Sequence, residues 1–475
     1  MLFNSLEFLI YLPVVFLLYW FVFKTLKWQN LFIVIASYVF YGWWNWNFLV
    51  LIAFTTLCSF FSGLLIEKFR SFGKIISGIN ISINLFILGI YKYYDFFVES
   101  FYEAFHSIGI TLHLSSLNLI LPVGISFYTF QALSYTIDVY RKKIQATKDI
   151  TSFFAFISFF PQLVAGPIER ATNLLPQFQR VRTFDYAKAV DGMRQILWGL
   201  FKKMVVADNC AVAVNEIFAD YSSLSGPHLF CGALFFTFQI YGDFSGYSDI
   251  AIGTAKLFGI HLMRNFNVPY FSRNIAEFWK RWHISLNTWF VDYIYIPLGG
   301  SREGKWKTVR NTLIIFLVSG LWHGANWTFI MWGCYHALLF LPLLLMGESR
   351  KFQDTVAIGR FLPSGKELLQ MLLTFFLVVI GWVIFRAENI MEAFAYIERM
   401  FTIGGSFPKH GNDPFIYIAI LCVIEWLQRN KEHGFQFSTG GVFRYQLVRW
   451  CVYLIVFVST FLLAGQQEVF IYFQF

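Results

Sequence analysis

Residues 320–327 read Gly-Leu-Trp-His-Gly-Ala-Asn-Trp, which sets one imidazole, His323, inside an apolar stretch spanning 313–346. It follows a basic loop of Arg302, Lys305, Lys307 and Arg310 by thirteen residues. At helical rise that is about 20 Å, more than half of a hydrocarbon core about 30 Å thick. An ionisable group at such depth costs free energy unless it faces protein or water. His323 therefore reads either as functional or as a helix-to-helix hydrogen-bond partner worth about 1 kcal/mol. On a continuous helix His323, Asn326 and Trp327 share one face at i, i+3 and i+4. His336 has hydrogen bonding as its simpler role, and a further imidazole, His283, ends the aromatic-basic run Arg281-Trp282-His283.

A neutral imidazole, with an unperturbed pKa of about 6.5, is suited to take a proton from a hydroxyl and raise its nucleophilicity toward an acyl thioester. The thioester carries its own leaving group, so a base, oxyanion donors and a groove suffice without a metal or a covalent nucleophile. Nearby cations, Arg273, Lys280, Arg281 and those of loop 302–310, suit the phosphates of a donor such as coenzyme A or a phosphopantetheine arm. Each reads equally well as a residue that keeps its loop in the cytoplasm. Trp282, Asn326 and Trp327 complete the candidate donor-binding set.

Other chemistries find little support. Gly299-Gly300-Ser301-Arg302-Glu303-Gly304-Lys305 matches seven positions of a P-loop, but Trp306 stands where Ser or Thr must ligate magnesium. The segment reads as a turn in a cytoplasmic loop. Neither a Gly-x-Ser-x-Gly elbow nor a His-Glu-x-x-His motif is present. Six cysteines (Cys58, Cys210, Cys231, Cys334, Cys422 and Cys451) form no close pair, so neither a disulfide framework nor a zinc site is indicated.

The elements that must position these residues are membrane helices. Of 475 residues 57% are hydrophobic and 14% charged, too apolar for a soluble domain with a polar shell. The apolar runs are continuous rather than alternating, which predicts an all-α polytopic membrane protein instead of a barrel. The net charge of +9 sits in short loops, as topology signals do, and does not point to nucleic acid. Basic and non-basic loops alternate: Lys24 and Lys27; then a Trp-rich connection at 41–47; then Lys68, Arg70 and Lys74; then 98–116 with Glu99 and Glu103; then Arg141, Lys142, Lys143 and Lys148. That places the N-terminus outside the cytoplasm.

The first span, 2–23, lacks a basic leader and a cleavage site, so it reads as a retained helix. Segment 153–166 is too short to cross and reads as re-entrant or interfacial. Lys202 and Lys203 within 191–214 predict a broken or protein-buried helix. Segment 229–257 returns, 261–310 holds no uninterrupted span, and 313–346 divides into two short or bent passes. Further spans near 368–385, 414–427 and 447–463 bring the total to about eleven to thirteen transmembrane or re-entrant helices. No internal repeat is visible, which weighs against many secondary transporters. No soluble domain is evident at either end, so a hydrophilic substrate-handling module is expected on a separate chain.

Three blocks carry a family resemblance: Arg281-Trp282-His283-Ile284-Ser285-Leu286, Tyr295-Ile296-Pro297-Leu298-Gly299-Gly300 and Gly320-Leu321-Trp322-His323-Gly324-Ala325. Others are Asp138-Val139-Tyr140-Arg141, the 160–167 run Phe-Pro-Gln-Leu-Val-Ala-Gly-Pro, and Phe244-Ser245-Gly246-Tyr247-Ser248-Asp249. Together they closely resemble the membrane-bound O-acyltransferase (MBOAT) family, in its bacterial branch concerned with alginate O-acetylation.

The resemblance implies a single transmembrane domain over 1–475, with a catalytic core at about 120–345, C-terminal helices at about 367–475, and helices ringing a central tunnel. His323 falls at the position of the family's catalytic histidine and His283 at its second polar position. The implied activity is O-acyl transfer, most simply of acetyl, from a cytoplasmic thioester toward hydroxyls of an extracytoplasmic polysaccharide. Acetyl-coenzyme A or another acyl thioester would be the substrate, with no tightly bound cofactor and no metal. The resemblance further implies a bacterial inner membrane location and a periplasmic SGNH-like acetyltransferase partner. The competing readings are D-alanyl transfer to teichoic acid from a carrier protein, and a glycan or lipid-linked sugar transporter.

Overall fold

The computed structural model describes residues 1–111, 115–164, 166–407, 413–437 and 440–471, and among these it is helical with no strand. Ala165 of the 160–167 block, residues 112–114 of the 98–116 connection, and 408–412, 438–439 and 472–475 of the C-terminal region lie outside the described residues. The chain forms two compact units, Met1–Ala189 with Thr254–Leu262, and Val190–Gly253 with Met263–Phe475. Among the described residues four helical stretches are long and apolar enough to cross a membrane: Phe48–Lys68, Arg70–Ser107, Trp327–Leu345 and Gly365–Arg386. Leu6–Val22, Pro414–Leu427 and Gln446–Leu462 are shorter apolar helices.

The first unit holds α1 (Leu6–Leu17), α2 (Leu26–Gly42), α3 (Phe48–Lys68), α4 (Gly73–Leu88), α5 (Tyr94–Ser107), α6 (Ile125–Tyr140), α7 (Ile150–Ser158), α8 (Phe160–Leu163) and α9 (Ala171–Phe178). Helix α6 is buried on nearly every face. Its Thr136 accepts from Asn80 Nδ2 of α4 at 2.7 Å, and the same amide reaches Ser59 of α3 at 3.3 Å. Such polar staples hold helices together where the surroundings offer little hydrophobic drive. The 153–166 segment is broken as its length demands: α7 starts at an Asp149 cap and gives way at Phe159 to the one-turn α8.

The second unit takes up α10 (Tyr186–Leu200) from Val190, then α11 (Asp208–Ala219) and α12 (Gly226–Leu257) as far as Gly253. It continues with α13 (Ile275–Arg281), α14 (Ile284–Phe290), α15 (Lys305–His323), α16 (Trp327–Leu345), α17 (Gly365–Arg386), α18 (Ile390–Thr402), α19 (Asp413–Leu427) and α20 (Gln446–Leu462). Between α10 and α11 the chain widens into a π-helical turn, Phe201–Ala207. There Lys202 pairs with Asp249 and donates to Ser245 at 2.9 Å, while Lys203 bridges Asp208 at 2.7 Å and Asp243 at 2.8 Å. The two lysines thus sit in a helix that is both irregular and enclosed by protein, as their presence in an apolar stretch requires.

The 313–346 stretch is two helices packed on each other. Gly320 and Gly333 make the contact close: a Cβ on either would strike the carbonyl oxygen of Phe329 or Phe316 on the facing helix. Gly324 is extended (φ −170°, ψ 162°), and Asn326 caps α16 by accepting from Thr328 N at 3.0 Å. The expectation that His323, Asn326 and Trp327 share one helix face is therefore corrected. The cap preference of Asn ends one helix frame and begins another between them.

Helix α18 was not anticipated. It is amphipathic rather than apolar, burying Ala393, Tyr396 and Met400, and Tyr396 Oη donates to Leu229 O at 2.7 Å.

Candidate active site

His323 is the last residue of α15, and its side chain is 2% exposed. The imidazole lies edge-on to Trp332 of α16 at 5.0 Å and to Phe385 of α17 at 5.4 Å. The preceding Trp322 indole packs against it at 5.0 Å and against His283 at 5.6 Å. One indole therefore touches both candidate imidazoles, although the two histidines are forty residues apart in the chain.

His283 caps α14 in the left-handed region (φ 45°, ψ 54°), a conformation that costs a residue with a Cβ roughly 1–2 kcal/mol. Neighbouring contacts hold it there. Ile284 N donates to Asn265 O and Asn267 N to Arg281 O, both at 2.9 Å, so 265–267 runs beside 281–284. His283 Nδ1 lies 3.1 Å from Asn265 Oδ1, which also accepts from Ser285 Oγ at 2.9 Å and Ser285 N at 3.3 Å. Asn265 Nδ2 donates to Ser248 Oγ of α12 at 3.1 Å. The Phe244 ring stands edge-on to the imidazole at 4.6 Å.

Asn265 escaped the sequence reading. It lies in a loop that matches no catalytic motif, and its role depends on a pairing between segments that no local spacing announces. Asn265 and Ser248 also line a cleft whose other walls include Lys202, Tyr241, Asp249, Arg264 and Glu425. Tyr241 Oη donates to Glu425 there at 2.7 Å.

The expected donor-binding residues separate into two groups. Arg273 and Arg281 converge on Glu277, at 3.0 and 2.9 Å, and both donate to Asp354 O at 2.8 Å. Lys280, on the same short helix α13, is exposed. Trp282, by contrast, is fully buried against Trp382 at 4.9 Å and Phe266 at 5.0 Å, and so packs the core instead of offering a face to a donor. Asn326 is committed to its cap and to Glu388 O at 2.9 Å, whereas Trp327 is half-exposed beside it. His336 also departs from its expected role: neither ring nitrogen has a hydrogen-bond partner among the described residues, and the ring packs on Trp279 and Trp332 at 5.0 Å.

The 299–305 segment is a surface turn. Gly299, Gly300 and Gly304 take positive φ, and Asn311 Nδ2 ties the turn by donating to Leu298 O and Gly300 O. Lys307, hydrogen-bonded to Glu303 at 2.6 Å, holds that carboxyl below its ordinary pKa. Among the described residues no group of three or more His, Cys, Asp or Glu side chains is placed to hold a metal ion.

Residues 141–381, which include both histidines, match the profile of MBOAT, the membrane-bound O-acyltransferase family. The chain belongs to this family. The "Probable alginate O-acetylase" of Pseudomonas aeruginosa is 41% identical over 85% of the chain and 75% of its own length. The "Peptidoglycan O-acetyltransferase" of Helicobacter pylori is 33% identical over all of the chain and 98% of its own. The "Teichoic acid D-alanyltransferase" of Bacillus subtilis is 29% identical over 57% of the chain and 70% of its own. This MBOAT protein is a membrane O-acyltransferase.

Proposed function

We propose that the protein transfers an acetyl group from a cytoplasmic thioester toward hydroxyls of an extracytoplasmic polysaccharide, with 1–475 acting as one catalytic transmembrane domain. The observation that carries this reading is the pair of buried imidazoles, His323 and His283, set against the single indole of Trp322. His323 acts as the base that takes the proton from the attacking hydroxyl. A base of this kind typically contributes about 10²- to 10⁴-fold to the rate. Arg273, Lys280 and Arg281 form the cationic edge for the phosphates of coenzyme A or a phosphopantetheine arm. The arginines are held in place by Glu277, and Lys280 is free to reach outward from α13.

Acetyl is favoured as the cargo because the two acetylating relatives match more of this chain, at higher identity, than the D-alanylating one. The N-terminus is assigned outside the cytoplasm, and a separate SGNH-like periplasmic acetyltransferase is assigned the final transfer. Cells producing His323→Ala at normal protein level are expected to lose acetyl label from the surface polymer. Unchanged acetylation would overturn the assignment of His323, and a polymer carrying D-alanine instead would move the cargo to the teichoic acid type.

A further inference from the structure

The contacts of Asn265 decide which nitrogen of His283 faces the reaction. Ser285 N is a backbone N–H and can only donate, so the Asn265 side-chain atom that meets it must be the oxygen. The same oxygen meets His283 Nδ1 at 3.1 Å. An amide oxygen cannot donate, so Nδ1 must carry the proton of this hydrogen bond. In that orientation the amide nitrogen donates to Ser248 Oγ, which can accept as well as donate, and Asn265 itself is fully buried. With Nδ1 protonated, a neutral imidazole keeps its lone pair on Nε2, an atom with no hydrogen-bond partner among the described residues.

We propose that Asn265 is a positioning residue for acyl transfer, fixing His283 as the Nδ1–H tautomer so that Nε2 is a hydrogen-bond acceptor facing the reacting groups. The inference rests on the assignment of His283 to the active site. It describes how His283 is supported: the imidazole is oriented by an amide that both backbone and side chain of Ser285 hold in place, while the His323 ring lies against those of Trp332 and Phe385. It also explains the positive φ of His283. The strained backbone turns Nδ1 onto Asn265, and the hydrogen bond there stabilises the strained form.

Charged groups on the elements packed around His283 include Lys202 and Asp249, paired with each other, Lys203 with Asp208 and Asp243, Arg281 with Glu277, Arg264, which donates to Phe266 O, and Glu425, which accepts from Tyr241. None of them is hydrogen-bonded to the imidazole in the described structure. A carboxylate in place of the Asn265 amide would therefore be a new charge at Nδ1.

The experiment measures thioester-dependent acetyl transfer against pH for purified wild type, His283→Ala, Asn265→Ala and Asn265→Asp, with folded protein matched by size exclusion and melting. Asn265→Ala is expected to lower kcat about 10- to 100-fold, with donor KM changed less than about threefold, because a misoriented catalytic group loses rate rather than binding. Asn265→Asp keeps the shape and acceptor but stabilises imidazolium, so the acid limb of its rate profile is expected to move about one unit or more to higher pH, with activity recovering above it.

Wild-type kcat and pH profile in Asn265→Ala, with His283→Ala inactive, would overturn the inference and leave the His283 assignment standing. Full activity in His283→Ala would overturn that assignment instead. Should Asn265→Ala fail to fold, the isosteric Asn265→Asp decides, and an unmoved acid limb overturns the inference.

Discussion

Gly320→Ala isolates the helix contact that sets the position of His323. A Cβ at Gly320 would meet the Phe329 carbonyl oxygen directly, with the carbonyl carbon at 3.0 Å and Ile330 Cα at 3.3 Å. Carbon atoms come to rest about 3.5–4.0 Å apart, so clearing the carbon alone parts α15 from α16 by about 0.5 Å, and clearing the oxygen brings this to the order of 1 Å. Alanine favours a helix interior by about 1 kcal/mol over glycine. Overpacking against rigid backbone costs about 1–3 kcal/mol, which outweighs that gain and leaves a net loss of up to about 2 kcal/mol. His323 lies three residues on, and a displacement near 1 Å of a catalytic group costs about 10²-fold in rate. The assay is acetyl turnover by purified protein in nanodiscs, alongside its melting temperature. Gly365→Ala, whose added Cβ meets nothing within 4 Å, is the control and should match wild type. Wild-type turnover and melting in Gly320→Ala would refute the argument that this close approach places the histidine.

Three more substitutions separate the buried ion cluster, the donor edge and the α16 cap. Lys203→Met strands the Asp208 and Asp243 carboxylates that now bracket the ammonium, and should cost about 3–5 kcal/mol, seen as lost folded yield or a lowered melting temperature. Adding Asp208→Asn and Asp243→Asn should restore part of it. Lys280→Ala should raise donor KM with little change in kcat, as loss of a contact made equally in ground and transition states does; an unchanged KM would remove Lys280 from the donor site. Asn326→Ala should lower stability by about 1 kcal/mol through the lost cap while leaving donor KM unchanged, and a raised KM would return Asn326 to the donor contacts.

What the sequence conveyed and what it hid follow from the range of the interactions involved. Lys202 and Lys203 announced a broken, enclosed helix because two ammonium groups in an apolar run have no other stable setting, and a π turn among carboxylates is what forms. The length of 313–346 likewise required a break. Its place was obscured because Gly324-Ala325-Asn326 reads as passably helical until the capping bond of Asn326 is seen. Helix α18 was missed because its exposed face carries charge, which lowers its mean hydropathy below that of a span. Trp282 and Lys280 are two residues apart, yet one is enclosed and the other exposed, a difference set by where α13 packs rather than by residue type. The pairing of Asn265 with His283 across eighteen residues depends on backbone hydrogen bonds between irregular segments, for which periodicity offers no signal.

The central claim is that acyl transfer here depends on the buried His323. The most direct measurement gives purified wild-type and His323→Ala protein acetyl-coenzyme A labelled in the acetyl group, with an SGNH-like partner and a polysaccharide acceptor added in turn, and follows both thioester consumption and transfer of label. Wild-type turnover is expected to fall by about 10²-fold or more in folded His323→Ala. Equal turnover by the two proteins would contradict it.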